Sequence, residues 1–229
     1  MNYEAILFDM DGTLLDTLED IGDATNRVLA KRGFPTHSIS TYRQFVGEGS
    51  KILITRALPE AHRNEKLIDE CLQEFIEYYD LNCMVKSKPY DGIPGLLDAL
   101  IARGLKLAIL SNKPDLITKT CVKTLLSKWH FVVVFGQRDS VPCKPNPQSA
   151  LELAAIMGIH PSKFLYLGDT GIDMKTAVSS GMFPVGVLWG FRPLEELKAH
   201  GARMVIDDPL KVLDILDRSV CPNSNDMQV

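Results

Sequence analysis

The stretch that decides the fold is Ala-Ile-Leu-Phe-Asp-Met-Asp-Gly-Thr, at residues 5–13. Its four apolar residues, 5–8, run without polar alternation into a segment of carboxylates and glycine. A short apolar run bounded by a turn signal is typical of a parallel strand that is buried on both faces. The stretch therefore predicts a central strand with acidic side chains at its carboxyl end.

Further apolar runs of this kind alternate with helical patterns toward the C-terminus. The predicted strands lie at residues 105–110, 131–135, 164–167 and 184–188. The predicted helices lie at residues 115–126, 148–157 and 173–180. Alternation of this type predicts an α/β fold, an open parallel sheet with helices on both faces in a Rossmann-like arrangement.

Between the first and second predicted strands the chain has only helical patterns. They lie at residues 17–32, 49–57 and 65–79, and Thr17 with Asp20 resembles a weak capping box. Roughly seventy residues are far more than the dozen or so that a parallel crossover needs. We therefore expect a core of residues 1–14 and 90–217, a helical cap of residues 15–89 inserted after strand 1, and a flexible tail at 218–229.

Composition excludes several classes of partner. The 229 residues include 25 Lys and Arg against 29 Asp and Glu, a net charge of −4, which disfavours nucleic acid and anionic membrane surfaces. No apolar run approaches the roughly 20 residues that span a bilayer, and the N-terminus lacks the basic region of a secretory signal. The five cysteines form no C-x-x-C pair, which favours reduced thiols and a cytoplasmic location.

Polar side chains follow three of the predicted strands, and a loop lysine can reach the same edge. They are Asp9, Asp11, Ser111, Asn112, Asp169, Asp173 and the loop residue Lys144. Taken singly, each has a structural explanation as a turn, helix-cap or loop residue. Ligands of open parallel sheets bind beyond the carboxyl ends of the strands, so the convergence of these residues on one edge indicates a site.

Charge arithmetic indicates a cation in that site. Asp9, Asp11 and Asp169 together carry −3, and two unit charges about 4 Å apart repel by ~4 kcal/mol at an effective dielectric near 20. Such a cluster either takes up protons or holds a cation. Oxygen ligands without His or Cys favour Mg²⁺. With Mg²⁺ and Lys144 present, the carboxylates are neutralised and the site can accept a phosphate dianion.

The motifs resemble those of haloacid-dehalogenase-superfamily phosphatases. The matching segments, in the order and spacing of that family's four motifs, are DMDGTL at 9–14, SNK at 111–113, KP at 144–145 and GD-x-x-x-D at 168–173. The helical insert after strand 1 resembles the family's first type of cap. Within the family, the segments VGEG at 46–49, RAL at 56–58 and SNKP at 111–114 most resemble phosphoglycolate phosphatases.

The resemblance implies Mg²⁺-dependent hydrolysis of a small phosphomonoester. It implies that Asp9 is the nucleophile, forming an aspartyl-phosphate, and that Asp11 is the general acid and base. It assigns the metal to the Asp9 side chain, the Asp11 backbone carbonyl and Asp169. Asp173 would act through its neighbours or a bound water.

The resemblance also implies which groups hold the phosphoryl oxygens. These are Ser111 and Lys144, with Asn112 and the backbone amides near Gly12 as further donors. In the cap, Arg43, Lys51 and the flexible segment at Gly47 are candidates for gripping a second group of the substrate, such as a carboxylate.

Other functions stay open at this stage. The leading substrate is 2-phosphoglycolate, but the same core serves a sugar phosphomutase, and a pyrophosphatase or nucleotide phosphatase is a further alternative. Outside enzymes, the alternative is a module that binds a phosphorylated metabolite. Nothing in the sequence indicates an oligomeric state.

Overall fold

A computed structural model describes residues 3–220 and places the apolar run at 5–8 in the middle of a parallel sheet. The strands are β1 (Ala5–Phe8), β2 (Leu15–Asp16), β3 (Lys88–Pro89), β4 (Lys106–Pro114), β5 (Phe131–Gln137), β6 (Phe164–Gly168), β7 (Phe183–Val187) and β8 (Met204–Ile206). Six of them form one sheet in the order β5-β4-β1-β6-β7-β8, with every neighbouring pair parallel. The strand order therefore reverses at β1, where a crevice forms beyond the carboxyl ends.

Helices cover both faces of this sheet. They are α1 (Leu18–Lys31), α2 (Ile39–Phe45), α3 (Ser50–Ala57), α4 (Glu65–Asn82), α5 (Ile93–Ala102), α6 (Asp115–Leu125), α7 (Gln148–Met157), α8 (Gly171–Ser180), α9 (Leu194–Ala199) and α10 (Lys211–Val220). Alternate residues of β1 point to opposite faces, so Ile6 and Phe8 join one apolar core and Ala5 and Leu7 join another. The predicted α/β fold, with an open parallel sheet between two helical layers, is confirmed.

Helices α1 to α4 form a helical insert, residues 18–82, which leaves and re-enters the sheet region through two adjacent chain crossings. The crossings are β2 and β3, which pair antiparallel as Leu15 with Pro89 and Asp16 with Lys88. Within the insert, α1 packs against α2 and α4, and α3 packs against α4. The insert sits beyond the carboxyl end of β1, beside the crevice.

The predicted capping box at the start of α1 is wrong. The Thr17 side chain makes no capping hydrogen bond and donates instead to Asp11. The Asp20 carboxylate accepts from the backbone N–H groups of Lys86 and Ser87, 2.8–3.0 Å away, and so joins the two chain crossings. Thr17 bonds to a residue six positions earlier, and Asp20 bonds to residues 66 and 67 positions later, so neither partner belongs to the capping pattern.

The predicted strands and helices miss several short elements. They omit β2, β3, β8, α2, α9 and α10 and give no bounds for α5, and they end β4 at residue 110, although it continues to Pro114. Helix α10 runs to Val220, so residues 218–220 of the predicted tail are helical, while residues 221–229 lie outside the described residues. Within residues 3–220, no helix has the length and apolar character that crossing a bilayer requires.

Candidate active site

The strand ends and the helical insert enclose a cavity of about 460 Å³, including its open mouth. Its floor is formed by residues that follow β1 or lie at the end of β4. Its roof comes from α1, α3, α4 and the loop before α3. The lining residues are Asp9, Asp11, Ile21, Val46, Gly47, Gly49, Ser50, Leu53, Phe75, Tyr79, Ser111, Asn112 and Lys113.

Three carboxylates from two strand ends meet beside this cavity. Asp9, Asp169 and Asp173 each offer an oxygen atom, and these atoms all lie within 4.8 Å of one another. Asp9 is 6% exposed, and Asp169 and Asp173 are fully buried. Two of the carboxylates predicted to converge, Asp9 and Asp169, are therefore brought together.

Glycine makes this approach possible. Gly12 has a φ of +87°, and a Cβ atom there would lie 2.4 Å from Asp169 Oδ2. A Cβ atom on Gly190 would lie 2.3 Å from the Asp169 Cβ. Any larger side chain at either position would push the Asp169 carboxylate out of the cluster.

Lys144 neutralises part of the negative charge of this cluster. Its Nζ donates to Asp9 Oδ1 at 2.8 Å and to Asp173 Oδ1 at 2.7 Å. A third bond, of 3.0 Å, goes to the Leu110 carbonyl. Burial lowers the pKa of Lys144, but the two carboxylates outweigh burial and hold it well above its ordinary value. Lys144 is therefore a fixed positive charge.

Lys144 alone does not balance the negative charge of the three carboxylates. Burial raises the pKa of Asp9 to about 7, against the lowering effect of Lys144. Burial, together with the Asp9 charge, also raises the pKa of Asp169 well above its ordinary value. Buried carboxylates of this kind hold protons unless a cation replaces them. An all-oxygen donor set with surplus negative charge fits Mg²⁺.

Asp173 is held by its neighbours on both oxygens. Oδ1 accepts from Lys144, and Oδ2 accepts from the Thr170 backbone N–H at 3.1 Å and from the Thr170 hydroxyl at 2.6 Å. These bonds complete a capping box that begins α8. Such an arrangement agrees with a carboxylate that acts through its neighbours.

Asp11 points its carboxylate at a different set of partners. Lys113 Nζ donates to Asp11 Oδ1 at 2.9 Å and to Oδ2 at 3.2 Å, and Thr17 Oγ1 donates at 2.8 Å. Lys113 also donates to the Tyr79 hydroxyl of α4, at 2.7 Å. The Asp11 carboxylate is therefore outside the acidic cluster formed by Asp9, Asp169 and Asp173.

Ser111 and Asn112 both line the cavity, and the Asn112 side chain has hydrogen-bond partners within the protein. Asn112 Oδ1 accepts from the Lys144 backbone N–H at 2.8 Å. Its Nδ2 donates to the carbonyls of Lys144 and Gly47, both at 3.1 Å. Both amide hydrogens are engaged in this arrangement, and the role of Asn112 as a phosphate donor stays a prediction. Asn112 joins the Lys144 loop to the insert.

Two of the predicted substrate-gripping residues lie elsewhere. Lys51 is half-exposed on the outer side of α3 and pairs with Asp69 at 2.8 Å. Arg43 donates to the Gly190 carbonyl at 2.8 Å and so connects α2 to the core. The structure does not bring Arg43 or Lys51 into the cavity lining, whereas Gly47 is in the cavity wall.

The sequence reasoning missed the residues that hold the catalytic candidates in place. They are Thr13, which donates to Asp169, Thr17, Tyr79, Lys113, Thr170 and the backbone N–H of Phe191. A usable signal existed for Lys113, because it stands two positions beyond Ser111. Residues two apart on a strand share a face.

Comparisons with known proteins agree with this geometry. The family model for haloacid dehalogenase-like hydrolases matches residues 6–187. An N-acetylmuramic acid 6-phosphate phosphatase from Pseudomonas aeruginosa is 32% identical over 96% of this chain and 98% of its own. A phosphoglycolate phosphatase from Aquifex aeolicus is 32% identical over 94% of this chain and 97% of its own.

Solved structures show the same likeness. A Lactobacillus delbrueckii subsp. bulgaricus protein, provisionally assigned as a phosphoglycolate phosphatase, superposes with a TM-score of 0.88 at 31% identity. The match covers 94% of this chain and 99% of that one. These findings confirm the resemblance that the motifs indicate. The chain belongs to the haloacid dehalogenase-like hydrolase family, and the relatives described here carry the names of phosphatases.

Proposed function

We propose that the protein is a Mg²⁺-dependent phosphomonoester hydrolase that acts through an aspartyl-phosphate on a small metabolite, with 2-phosphoglycolate as the leading substrate. The observation that carries the proposal is the meeting of Asp9, Asp169 and Lys144 at the edge of the cavity. A nucleophile, a metal-binding carboxylate and a fixed cation are the groups that phosphoryl transfer requires.

The chain's own residues divide the chemistry between them. Asp9 attacks phosphorus, and the bond from phosphorus to the leaving oxygen breaks as Asp11 gives that oxygen a proton. Asp11 then takes a proton from water, which attacks the same phosphorus and frees Asp9. Ser111 and Lys144 hold phosphoryl oxygens throughout.

A metal completes this arrangement. The Asp9 side chain, the Asp11 backbone carbonyl and Asp169 would hold Mg²⁺. When bound, Mg²⁺ supplies positive charge that keeps the Asp9 carboxylate ionised and draws electron density from the phosphoryl oxygens.

The helical insert serves as a lid in this proposal. Its contacts with the core include Asn112 to the Gly47 carbonyl and Lys113 to the Tyr79 hydroxyl. Its apolar residues exclude bulk water from the cavity, and that exclusion strengthens the electrostatic interactions of the reacting groups.

Phosphate release from a panel of esters tests the proposal. We expect p-nitrophenyl phosphate hydrolysis that requires Mg²⁺ and stops with EDTA. We expect kcat/KM to be highest for 2-phosphoglycolate, since discrimination between substrates lies in that ratio. N-acetylmuramic acid 6-phosphate is included because a relative at 32% identity bears that name. Isomers formed from hexose 1-phosphates without net phosphate release would indicate a mutase instead.

Thermal unfolding gives a second test, independent of turnover. At a concentration a hundred times the dissociation constant, Mg²⁺ should raise Tm by roughly 5–10 °C. The increase should be larger at pH 8 than at pH 6, because the pKa of Asp9 is about 7 without metal and protons compete with the cation below it.

The sign of the metal-free pH dependence follows from the same shift. Asp9 has a raised pKa in the folded state, so the folded protein binds more protons than the unfolded chain between about pH 4 and pH 7. Ionisation of Asp9 therefore lowers the free energy of unfolding progressively as pH rises from about 4 to 7. Sodium chloride at matched ionic strength is the control, and equal Mg²⁺ shifts at pH 6 and pH 8 would contradict the site.

A cytoplasmic location is part of the proposal. The cysteines at positions 71, 83, 121 and 143 are free thiols, and three of them are buried. Unpaired thiols are the usual state of cysteine in a reducing compartment.

A further inference from the structure

The cavity described above is lined by a cation, Lys113, which is also the partner of Asp11 and Tyr79. Lys113 lies at the end of β4, and its side chain is only 3% exposed. Among the described residues that line the cavity, it is the one with a positive charge, because Lys144 lies beneath Asp9. Arg43 and Lys51, the cations suggested by the sequence, do not line it.

We propose that Lys113 is the specificity-determining residue, and that it binds a carboxylate carried by the substrate on the carbon next to the phosphate ester. This inference rests on the proposed function and deepens it. It assigns the substrate class as compact, carboxylated phosphomonoesters.

The position of Lys113 relative to Ser111 supports this assignment. Ser111 and Lys113 both line the cavity at the end of β4, and they are two residues apart, which is about 6.6 Å along a strand. A phosphoryl group on Ser111 therefore places the next substituent of a small substrate beside Lys113. A longer substrate would carry its second charge past this residue.

Binding such a group requires Lys113 to exchange one of the three bonds that its ammonium makes. Its ammonium gives two contacts to Asp11, of 2.9 and 3.2 Å, and one of 2.7 Å to the Tyr79 hydroxyl. A substrate carboxylate would take the place of the longer Asp11 contact, while the other two bonds hold the ammonium in position. The cation is thus preorganised for a second anion.

The remaining wall favours a small acid over a sugar. Ile21, Val46, Leu53 and Phe75 line the cavity with apolar surface. Sugar hydroxyl groups buried against such a wall lose their bonds to water without replacement. A charge pair beside this apolar wall is stronger than one in bulk water.

The test compares 2-phosphoglycolate with ethyl phosphate, which has the same ester but a methyl group in place of the carboxylate. The enzyme with saturating Mg²⁺ should prefer 2-phosphoglycolate by roughly 10- to 100-fold in kcat/KM, the value of one charged hydrogen bond. In Lys113→Met the preference should fall to within about threefold, mainly through a higher KM for 2-phosphoglycolate. Any effect on Asp11 lowers both substrates together and cancels in the ratio.

Lys51→Met is the matched control, because it removes an exposed lysine outside the cavity and should keep the original preference. Lys113→Gln, which retains a donor for Asp11 and Tyr79, replaces Lys113→Met if circular dichroism shows that the latter does not fold.

Two outcomes overturn the inference alone: an unmodified enzyme that hydrolyses both esters equally, or a Lys113 variant that keeps the full preference. No phosphate release from either ester or from p-nitrophenyl phosphate overturns the proposed function, and the inference with it.

Discussion

Replacing Asp9 with Asn should reduce phosphate release by at least about 10⁴-fold, the scale seen when a covalent nucleophile is removed. The carboxamide has nearly the same shape and can still accept a bond from Lys144, so the fold should persist. It cannot form the acyl-phosphate at a useful rate. The measurement is Mg²⁺-dependent release of phosphate from p-nitrophenyl phosphate and 2-phosphoglycolate under single-turnover and steady-state conditions.

Asp69→Asn is the matched control for this variant. Asp69 is an exposed carboxylate that pairs with Lys51 at 2.8 Å, well outside the cavity. Its loss should leave turnover within about twofold and stability within about 0.5 kcal/mol. Turnover in Asp9→Asn above a tenth of the original rate would assign the nucleophile to another residue.

Replacing Lys144 with Met should lower the free energy of unfolding by about 3–5 kcal/mol, because it leaves two buried carboxylates without their partner. The side chain of Lys144 is 2% exposed, and those of Asp9 and Asp173 are 9% and 1% exposed. Phosphate release should fall as well, since the phosphoryl oxygens lose a fixed cation. Urea unfolding at pH 7.5 in EDTA measures the change in stability.

An exposed lysine provides the comparison. Lys163 pairs with Glu4 at 3.9 Å on the surface, and Lys163→Met should change stability by no more than about 0.5 kcal/mol. Adding Asp173→Asn to Lys144→Met should recover part of the lost stability, because one unpaired charge disappears. A loss below about 1 kcal/mol in Lys144→Met would show that the cluster does not need this cation.

The centre of the site could be predicted from the sequence because strands of a parallel sheet all end at one edge. Asp9 and Asp169 directly follow short apolar runs, and that placement alone brings two distant segments together. The position of Lys144 is harder to predict, because Lys144 lies in a loop. Charge balance, rather than periodicity, indicates that it neutralises the carboxylates.

Residues of the helical insert could not be placed in this way. The exposed face of α3 carries Lys51, and a helical pattern does not say which face meets the cavity when the partner is an irregular strand end. The sequence suggests Arg43 as a cation for a substrate carboxylate, but in the structure it donates to the Gly190 carbonyl, 147 positions away. Such long-range partners leave no local signature.

Lys113 is the opposite case, because its position in the sequence contains a usable signal. The apolar run ends at Leu110 and predicts a strand that ends there, yet β4 continues through Ser111, Asn112 and Lys113 to Pro114. Extended backbone persists because the whole segment is buried at the sheet edge. Hydrophobicity detects the part of a strand that lies in the core, not the part that carries the chemistry.

The two short crossings between sheet and insert have an evolutionary consequence. Because β2 and β3 run side by side, with Leu15 opposite Pro89, the ends of the intervening segment are about 5 Å apart. A short turn could close that gap without disturbing β1 or β4. The insert can therefore be exchanged, enlarged or removed in the course of evolution while β1 and β4 keep their positions.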